Sequence, residues 1–379
     1  MRGADLLDVL PQAAEIVADV RDRGDAALLE WTERLDGARP AAIRVQAAEL
    51  ETARIDGKAL DAIRALAGAV AEFHELQRPE DTAASPFPGI RTERRFVPLA
   101  SVGIYVPGGR APLASSLVMA AVPARVAGVE RVAVASPHPA EAVLAVAHEL
   151  GIDEVYAVGG AQAIAALAYG TETVARVDKI VGPGNRWVTA AKLLVAGRVA
   201  IDLPAGPSEV LIIADETADP ALCLADLLAQ TEHGPDSEAV LVTTSPALAE
   251  AIAREERVRV ELVGSLDEAL AFAEDYAPEH LQLLVADPEA AAARVRNAGT
   301  VFVGADAPAV LGDYASGANH VLPTGGLARG AGGLGLEAFL KPVQVVRATA
   351  GGLSEVRDIV TALAKLEGLP LHAASLEAR

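Results

Sequence analysis

Strand and helix patterns alternate along most of this chain, and that alternation limits the folds it can adopt. Short apolar runs such as RVAVASP and KIVGPGN are separated by helical segments such as PAEAVLAVAHELG and RWVTAAKLLVAG. Two strands joined by a helix of about 10–13 residues form a βαβ unit, whose strands are parallel. The pattern therefore predicts an α/β protein with parallel sheets.

The alternation occurs in two stretches, which predicts two α/β modules. The first module is predicted over residues 105–209 and the second over residues 210–333. Residues 1–104 show helical spacing followed by strand-like alternation, and we expect this segment to pack with the second module. The pattern changes after about residue 333, so residues 334–379 are interpreted as an appended tail.

Charge and cysteine content exclude several function classes. The formal net charge of −20 disfavours nucleic acid or an anionic membrane surface as a partner, because both are negatively charged. Cys223 is the single cysteine, which excludes a disulfide framework or a cysteine-rich zinc site. The N-terminal MRGADLLDVLPQ has no signal-peptide pattern, and no apolar run approaches about 20 residues. We expect a cytoplasmic protein.

The segment DPALCLADLLAQTEHGP predicts a helix that ends in two polar side chains. Asp219 is suited to the N-cap and Pro220 to the first helical position, while Gly234-Pro235 stops the helix. Gln230 and His233 are three residues apart and would share a helix face. Glu-x-x-His pairs at this spacing bind metals on helices, but a histidine at a helix C-terminus also interacts favourably with the helix dipole. The pair alone leaves both interpretations open.

Three further histidines lie near carboxylates. Glu279 and His280 are adjacent in YAPEHLQLLV and could divide proton-transfer work, although Glu-His pairs are also common on surfaces. Asp313 and His320 flank a loop-like segment, GDYASGANHVLPT, with more polar side chains than a connector needs. Glu367 and His372 lie in EGLPLHAAS near the C-terminus, where a histidine is functional only if the tail is docked.

Glycines at the ends of several predicted strands could allow a ligand to approach the backbone. They occur in GIYVPGG, VGGAQA and IVGPGN. The G-x-G-x-x-G fingerprint of dinucleotide-binding proteins does not follow any of the predicted strands. The glycines therefore indicate a ligand site only as a set.

Eight segments in order resemble the histidinol dehydrogenase family, and the likeness runs from about residue 90 to the C-terminus. They are GIYVPGGRAPLASSLVMAAVPARVAGV, VGGAQAIAALAYGTETV, DKIVGPGNRWVTAAK, IDLPAGPSEVLIIADE, DLLAQTEHGPDSEAVLVT, YAPEHLQL, GDYASGANHVLPTGG and LEGLPLHAAS. The resemblance implies a zinc-dependent, NAD-linked enzyme that oxidises L-histidinol through the aldehyde to L-histidine. It also implies two incomplete Rossmann-like modules, and a homodimer with exchanged tails and shared active sites.

The resemblance assigns roles to individual positions. The implied zinc ligands, which also contact the substrate, are Gln230, His233, Asp313 and His372. Glu279 and His280 are the implied acid–base pair, and His280 also contacts the substrate. The remaining implied substrate contacts are Ser208, His320 and Glu367, and the implied NAD contacts are Tyr105, Gln162 and Asn185.

Three other functions remain open from the sequence. A related dehydrogenase of another small alcohol, such as a sulfonated diol, would keep the metal ligands and the Glu-His pair but alter Ser208, His320 and Glu367. A zinc hydrolase would use Glu279 to activate metal-bound water without NAD. A metabolite-binding protein with two α/β lobes would not need adjacent Glu279 and His280.

Overall fold

The computed structural model describes residues 6–108, 113–203 and 206–379. The α-helices are α1 (Leu10–Arg23), α2 (Asp25–Asp36), α3 (Ala47–Thr52), α4 (Gly57–Glu75), α5 (Ala114–Ala127), α6 (Glu141–Glu149), α7 (Gly160–Tyr169), α8 (Arg186–Val195), α9 (Pro220–Gln230), α10 (Pro246–Ile252), α11 (Leu266–Tyr276), α12 (Pro288–Ala292), α13 (Val310–Tyr314), α14 (Ala350–Leu366) and α15 (Pro370–Glu377). The strands are β1 (Thr82–Phe87), β2 (Ile90–Pro98), β3 (Ser101–Tyr105), β4 (Arg131–Ala135), β5 (Glu154–Tyr156), β6 (Lys179–Val181), β7 (Ala200–Ile201), β8 (Glu209–Ala214), β9 (Glu238–Thr243), β10 (Val258–Leu262), β11 (His280–Leu284), β12 (Thr300–Val303) and β13 (Leu340–Ala348). Short 3₁₀ helices cover Leu6–Asp8, Thr231–His233, Leu327–Arg329 and Leu336–Phe339.

The chain divides into two compact units. The first comprises Met1–Gln77 and Leu99–Phe339, and the second comprises Arg78–Pro98 and Leu340–Arg379. The prediction of an α/β protein with parallel sheets is confirmed, because the first unit contains two five-stranded parallel sheets. No helix of the described part of the chain combines the length and hydropathy needed to cross a bilayer.

Both sheets of the first unit have the same strand order. The first is β5-β4-β3-β6-β7 and the second is β10-β9-β8-β11-β12. Numbered within each module, this order is 3-2-1-4-5, which is found in doubly wound dinucleotide-binding folds. The order reverses between β3 and β6 in the first sheet, and between β8 and β11 in the second. Ligands of such sheets usually bind outside the carboxyl ends of the strands at the reversal.

Apolar strands and helices form the core on these sheets. Strands β3 and β8 are buried along their whole length, as expected for central strands covered on both faces. Helix α7 buries Ala161 to Ala168 without interruption, so small side chains allow close packing there.

The N-terminal segment differs from the expectation that it would pack with the second module. Ile16 and Val17 of α1 and Leu28 of α2 share a hydrophobic cluster with α7 and the first sheet. Helix α4 packs on α5, and the buried His74 near its end lies 3.3 Å from the Leu334 carbonyl oxygen. Helices α1 and α2 both lie against α7, whereas β1 and β2 belong to the second unit.

The second unit is an antiparallel sheet with two helices. Its strand order is β1-β2-β13, and β13 pairs with β2 along nine residues from Leu340↔Pro98 to Ala348↔Ile90. The helical spacing of LSEVRDIVTALAKLEGLPLHAASLEAR predicts one last helix, and this prediction is wrong. The structure has α14 and α15 instead, separated at Gly368, whose φ of 68° a helix cannot accommodate.

Candidate active site

Tyr105 and Gln162, two of the proposed NAD contacts, meet at the carboxyl edge of the first sheet. Tyr105 ends β3, and its hydroxyl accepts a hydrogen bond of 3.1 Å from the Gly160 N–H at the start of α7. Burial raises the pKa of Tyr105 to about 12, so the phenol stays protonated at neutral pH. Gln162 is fully buried, and neither atom of its amide has a hydrogen-bond partner within the described residues. An unpaired buried amide is costly, which is the condition expected of a group that binds a ligand.

The backbone at this edge packs closely against Pro137 because two residues there have no side chain. A Cβ at Gly108 or Gly159 would overlap Pro137, which follows β4. Asn185, the third proposed NAD contact, follows β6 and caps α8, because its Oδ1 accepts from the Trp187 and Val188 N–H groups at 3.0 and 3.2 Å. The three proposed NAD contacts therefore lie at the ends of β3 and β6 and the start of α7, around the reversal of strand order.

The proposed catalytic residues Glu279 and His280 lie at the opposite edge of the other sheet, with the proposed substrate contact Ser208. Ser208 precedes β8, Glu279 precedes β11, and His280 is the first residue of β11. Helix α11 ends at Ala277 with a φ of 48°, and this strained turn directs the chain into β11. In the second sheet the site is thus at the amino edge, not at the carboxyl edge where ligands usually bind.

Glu279 is a buried carboxyl group held by two donors. The Ser208 hydroxyl donates to Glu279 Oε2 at 2.7 Å, and the Glu209 N–H donates to the same oxygen at 2.8 Å. Burial raises the pKa of Glu279 to about 8, and the charges of Glu209 and Asp313 add to the rise, while the two hydrogen bonds oppose it. A group with a pKa in this range can exchange a proton near neutral pH.

His280 is a buried imidazole, only 3% exposed. Neither ring nitrogen has a hydrogen-bond partner in the part of the chain that the structure describes. The ring packs edge-on against Phe302 with centroids 5.7 Å apart. Burial lowers the pKa of His280 to about 3, and His233 and His320 lower it further. The ring is therefore neutral at physiological pH and has a lone pair available for a proton.

His233 and Asp313 approach each other as two ligands of one metal ion would. The predicted helix ends three residues early: α9 stops at Gln230, and His233 lies in the 3₁₀ turn that follows. His233 Nε2 is 3.8 Å from Asp313 Oδ2, which is too far for a hydrogen bond. Two ligands about 2.1 Å from a shared zinc ion can be up to about 4.2 Å apart, so this separation fits one.

Gln230 supplies a further polar group beside this pair. It is buried, and its Nε2 has no partner in the described ranges. Burial raises the pKa of Asp313, and His233 opposes that rise. No three His, Cys, Asp or Glu side chains of the described residues form a metal-binding group by themselves. His233 and Asp313 can hold a zinc ion only if Gln230 and one further ligand, from outside this group of residues, complete its coordination.

His320 lies on the other side of Asp313. Its Nδ1 is 3.8 Å from Asp313 Oδ1 and 3.3 Å from the Asp313 carbonyl oxygen, and its Nε2 is 3.3 Å from the Ser116 hydroxyl of α5. Burial lowers the pKa of His320 to about 4. Ser208, His233, Glu279, His280 and His320 are therefore linked through contacts or charge interactions with one another or with Asp313.

Glu367 and His372 belong to the second unit. Glu367 is the C-cap of α14 and His372 lies in α15, and both are exposed. Cys223 is buried in α9, and burial raises the pKa of its thiol to about 11, which does not suit a nucleophile.

Sequence reasoning missed two residues that contact this site. Ser116 bonds to His320, and nothing in LASSLVMA distinguishes it from its neighbour. Glu209 is buried, and its carboxylate accepts from the Gly325 N–H while its own N–H binds Glu279. A charged residue opening the apolar run EVLIIA was a signal that could have identified Glu209.

Comparisons with known proteins give one consistent result. A family model described as histidinol dehydrogenase matches residues 2–379, so the match extends well before residue 90, where the resemblance in the sequence motifs begins. The chain is 46% identical to the histidinol dehydrogenase of Natronomonas pharaonis over 403 residues, which covers 100% of this chain and 95% of that one. It is 44% identical to the Methanosarcina barkeri enzyme of the same name over 406 residues, covering 100% and 93%. The crystal structure of histidinol dehydrogenase from Elizabethkingia anophelis superimposes with a TM-score of 0.90 at 35% identity, covering 100% of this chain and 93% of that one.

Proposed function

Since the chain belongs to the histidinol dehydrogenase family, we propose that it oxidises L-histidinol to L-histidine through L-histidinal, with zinc and NAD, in the last steps of histidine biosynthesis. The observation that carries the proposal is the meeting of the buried Glu279 and His280 with His233 and Asp313 in one site of a chain that matches the family along its length. A cytoplasmic location is part of the proposal, in keeping with a biosynthetic reaction that depends on NAD.

The proposed metal ligands are Gln230, His233, Asp313 and His372. When bound, zinc would act as a Lewis acid toward the oxygen of the alcohol and of the aldehyde. Asp313 is the one carboxylate of the set, and the two histidines and the amide are neutral donors. Such a site holds zinc less firmly than a thiolate site, so a chelator should remove the metal.

His280 is the proposed base for the hydroxyl proton. Its ring is neutral and its nitrogens are unpaired with the described residues, so it can accept a proton without breaking a hydrogen bond. NAD supplies the hydride acceptor in both oxidations. Because His280 is buried, bulk water is kept away from the ring nitrogen that would accept the proton.

Glu279 is the proposed base that activates water for the second oxidation. Its pKa of about 8 lies near the working pH, where general bases are most effective. Ser208 and the Glu209 N–H orient one of its oxygens and leave the other for water. Ser208, His320 and Glu367 are the proposed additional substrate contacts.

The NAD site is proposed at Tyr105, Gln162 and Asn185. The amide of Gln162, which has no partner among the described residues, supports this position. The strand order of the first sheet also supports it, because dinucleotides bind at such reversals without requiring one glycine motif.

A homodimer with exchanged tails completes the proposal. In it, Glu367 and His372 of each chain belong to the active site of its partner. Residues 1–104 are proposed as a supporting segment, 105–209 as the NAD module, 210–333 as the module with the metal ligands and bases, and 334–379 as the exchanged tail.

The alternative function is oxidation of another small alcohol, such as a sulfonated diol, by a related dehydrogenase. It would use the same ligands and bases with a different substrate. The presence of Ser208, His320 and Glu367 favours histidinol, because a dehydrogenase of another alcohol would carry different residues at these positions.

The test is the yield of NADH from L-histidinol with purified full-length protein. We expect two NADH per histidinol consumed, loss of activity after chelation, and recovery when zinc is restored. One NADH per substrate would contradict the four-electron reaction. Turnover of a diol but not of histidinol by the zinc-loaded protein would favour the alternative.

A further inference from the structure

We infer that the buried ion pair of Lys192 and Asp202 is a positioning device for the dinucleotide site, because it holds the turn after β6 against Tyr105. The inference rests on the proposed function, since it takes Tyr105 and Asn185 as NAD contacts. It assigns Lys192 and Asp202 a role in NAD affinity, although neither is a proposed NAD contact.

The pair is unusual in its burial. The side chains of Lys192, in α8, and Asp202, after β7, are each only 2% exposed, and Lys192 Nζ contacts Asp202 Oδ1. Removing two charges from water costs more than their attraction typically returns, so a buried pair is weak evidence of a stabilising role. The contacts that the pair makes with the backbone indicate a role other than stabilisation.

Both polar backbone groups of Gly182 are bound by this pair. The Gly182 N–H donates to Asp202 Oδ2 at 2.6 Å, and the Gly182 carbonyl oxygen accepts from Lys192 Nζ at 3.0 Å. Lys192 Nζ also lies 3.3 Å from the Leu203 carbonyl oxygen. The two side chains therefore determine the orientation of the peptide groups on both sides of Gly182.

Gly182 is the point where this turn touches Tyr105. Its φ is 114°, and a Cβ there would overlap the Tyr105 carbonyl oxygen. Pro183 and Gly184 follow, and the turn then reaches Asn185 at the N-cap of α8. A shift of Gly182 would therefore change the distance between Asn185 and Tyr105, the two sides of the proposed site.

Replacing one member of the pair does not separate positioning from folding. Burial raises the pKa of Asp202, and Lys192 opposes that rise. Without Lys192, Asp202 is a buried carboxyl group without its cation, which destabilises the fold. Replacing both residues with apolar ones of similar size removes both charges and can leave stability almost unchanged.

The test is therefore NAD⁺ binding by the double variant Lys192→Met/Asp202→Leu, measured by calorimetry on the full chain. We expect the dissociation constant and the KM for NAD⁺ to rise at least about tenfold, with kcat changed by less than about twofold. Circular dichroism and thermal unfolding show whether the variant is folded. If it is not, the double variant Lys192→Gln/Asp202→Asn decides, because it removes both charges and keeps an oxygen for the Gly182 N–H; NAD⁺ binding about threefold weaker is then expected.

A matched control is the pair Arg131–Glu154 at the amino edge of the same sheet. Its atoms are 2.8 Å apart, and Arg131 also binds the carbonyl oxygens of Ala175 and Arg176. Arg131→Met/Glu154→Leu should change thermal stability and leave NAD⁺ affinity unchanged.

The outcomes separate the inference from the proposed function. A folded test variant that binds NAD⁺ as tightly as the wild type overturns the inference alone. If NAD⁺ affinity falls equally in the control variant, the inference is also overturned, because the loss of any ion pair of this sheet would then weaken NAD⁺ binding. A wild-type protein that does not bind NAD⁺ overturns the proposed function together with the inference.

Discussion

Burial shifts the pKa values of the adjacent residues Glu279 and His280 in opposite directions. It raises the pKa of the carboxyl to about 8 and lowers that of the imidazole to about 3, so both favour their neutral forms. The histidine is therefore neutral at the working pH, and the carboxyl group beside it titrates close to that pH, where proton transfer is most effective.

The raised pKa of Glu279 should make stability depend on pH. Below its ordinary pKa of 4.5, Glu279 is protonated in both the folded and unfolded chain and costs nothing. Between 4.5 and about 8 only the unfolded chain ionises, so stability falls as pH rises through this window. Glu279→Gln does not titrate, so the Tm of the metal-free variant should gain on the wild type from pH 5 to pH 8.

Thermal unfolding at a series of pH values checks this, with Glu256→Gln, an exposed carboxylate of the same unit, as the control. The control should follow the wild-type curve. A constant Tm difference between Glu279→Gln and the wild type would contradict a raised pKa.

The proposed roles of the two residues predict different step-specific defects. His280→Asn should lower the rate of histidinol oxidation by about 10²- to 10⁴-fold. Glu279→Gln should spare that step and slow the oxidation of histidinal by a similar factor. Single-turnover NADH formation from each substrate measures the two steps, and equal losses in both would show that the division of roles is wrong.

Sequence patterns did not predict the environment of every residue, as two buried polar side chains show. His74 is fully buried, and its Nδ1 lies 2.7 Å from the Val70 carbonyl oxygen. Lys192 is buried against Asp202. Helical spacing shows which residues share a face, but not what another segment places against that face.

At the level of elements, α9 positions two proposed metal ligands through its C-terminal end. Asp219 caps its N-terminus, with Oδ1 accepting from the Ala221 N–H at 2.8 Å, as the sequence predicted. The 3₁₀ turn after Gln230 was not predicted, because helix ends depend on contacts such as that of Arg257 with the Thr231 carbonyl oxygen, 2.9 Å away.

Removing the cap of α9 should lower stability without ending function. Asp219→Ala should reduce the free energy of unfolding by about 1 kcal/mol, whereas Asp219→Asn, which keeps the accepting oxygen, should cost only a few tenths. Urea unfolding of both variants measures this. Equal losses would show that the hydrogen bond is not the source of the stability.

At the scale of the whole molecule, the proposed exchanged tails predict complementation between inactive variants. His233→Ala and His372→Ala should each be inactive as homodimers. When the two are refolded together, mixed dimers contain one site in which both histidines are intact, so about a quarter of wild-type activity should return.

Separately tagged chains and purified mixed dimers make this measurement quantitative. A mixture of each variant with itself is the control and should stay inactive. Activity that does not return in verified mixed dimers would mean that His372 serves its own chain or no site.

The sequence by itself determined the α/β class and the family, because alternating periods and eight ordered motifs are local properties that need no neighbours. Only the tertiary structure decided that the proposed bases lie at the amino edge of the second sheet, that α1 and α2 pack on the first, and that the pKa of Glu279 is raised to about 8. Strand order and register depend on pairings between distant segments. Desolvation depends on everything that surrounds a group, and neither can be obtained from the residues along the chain alone.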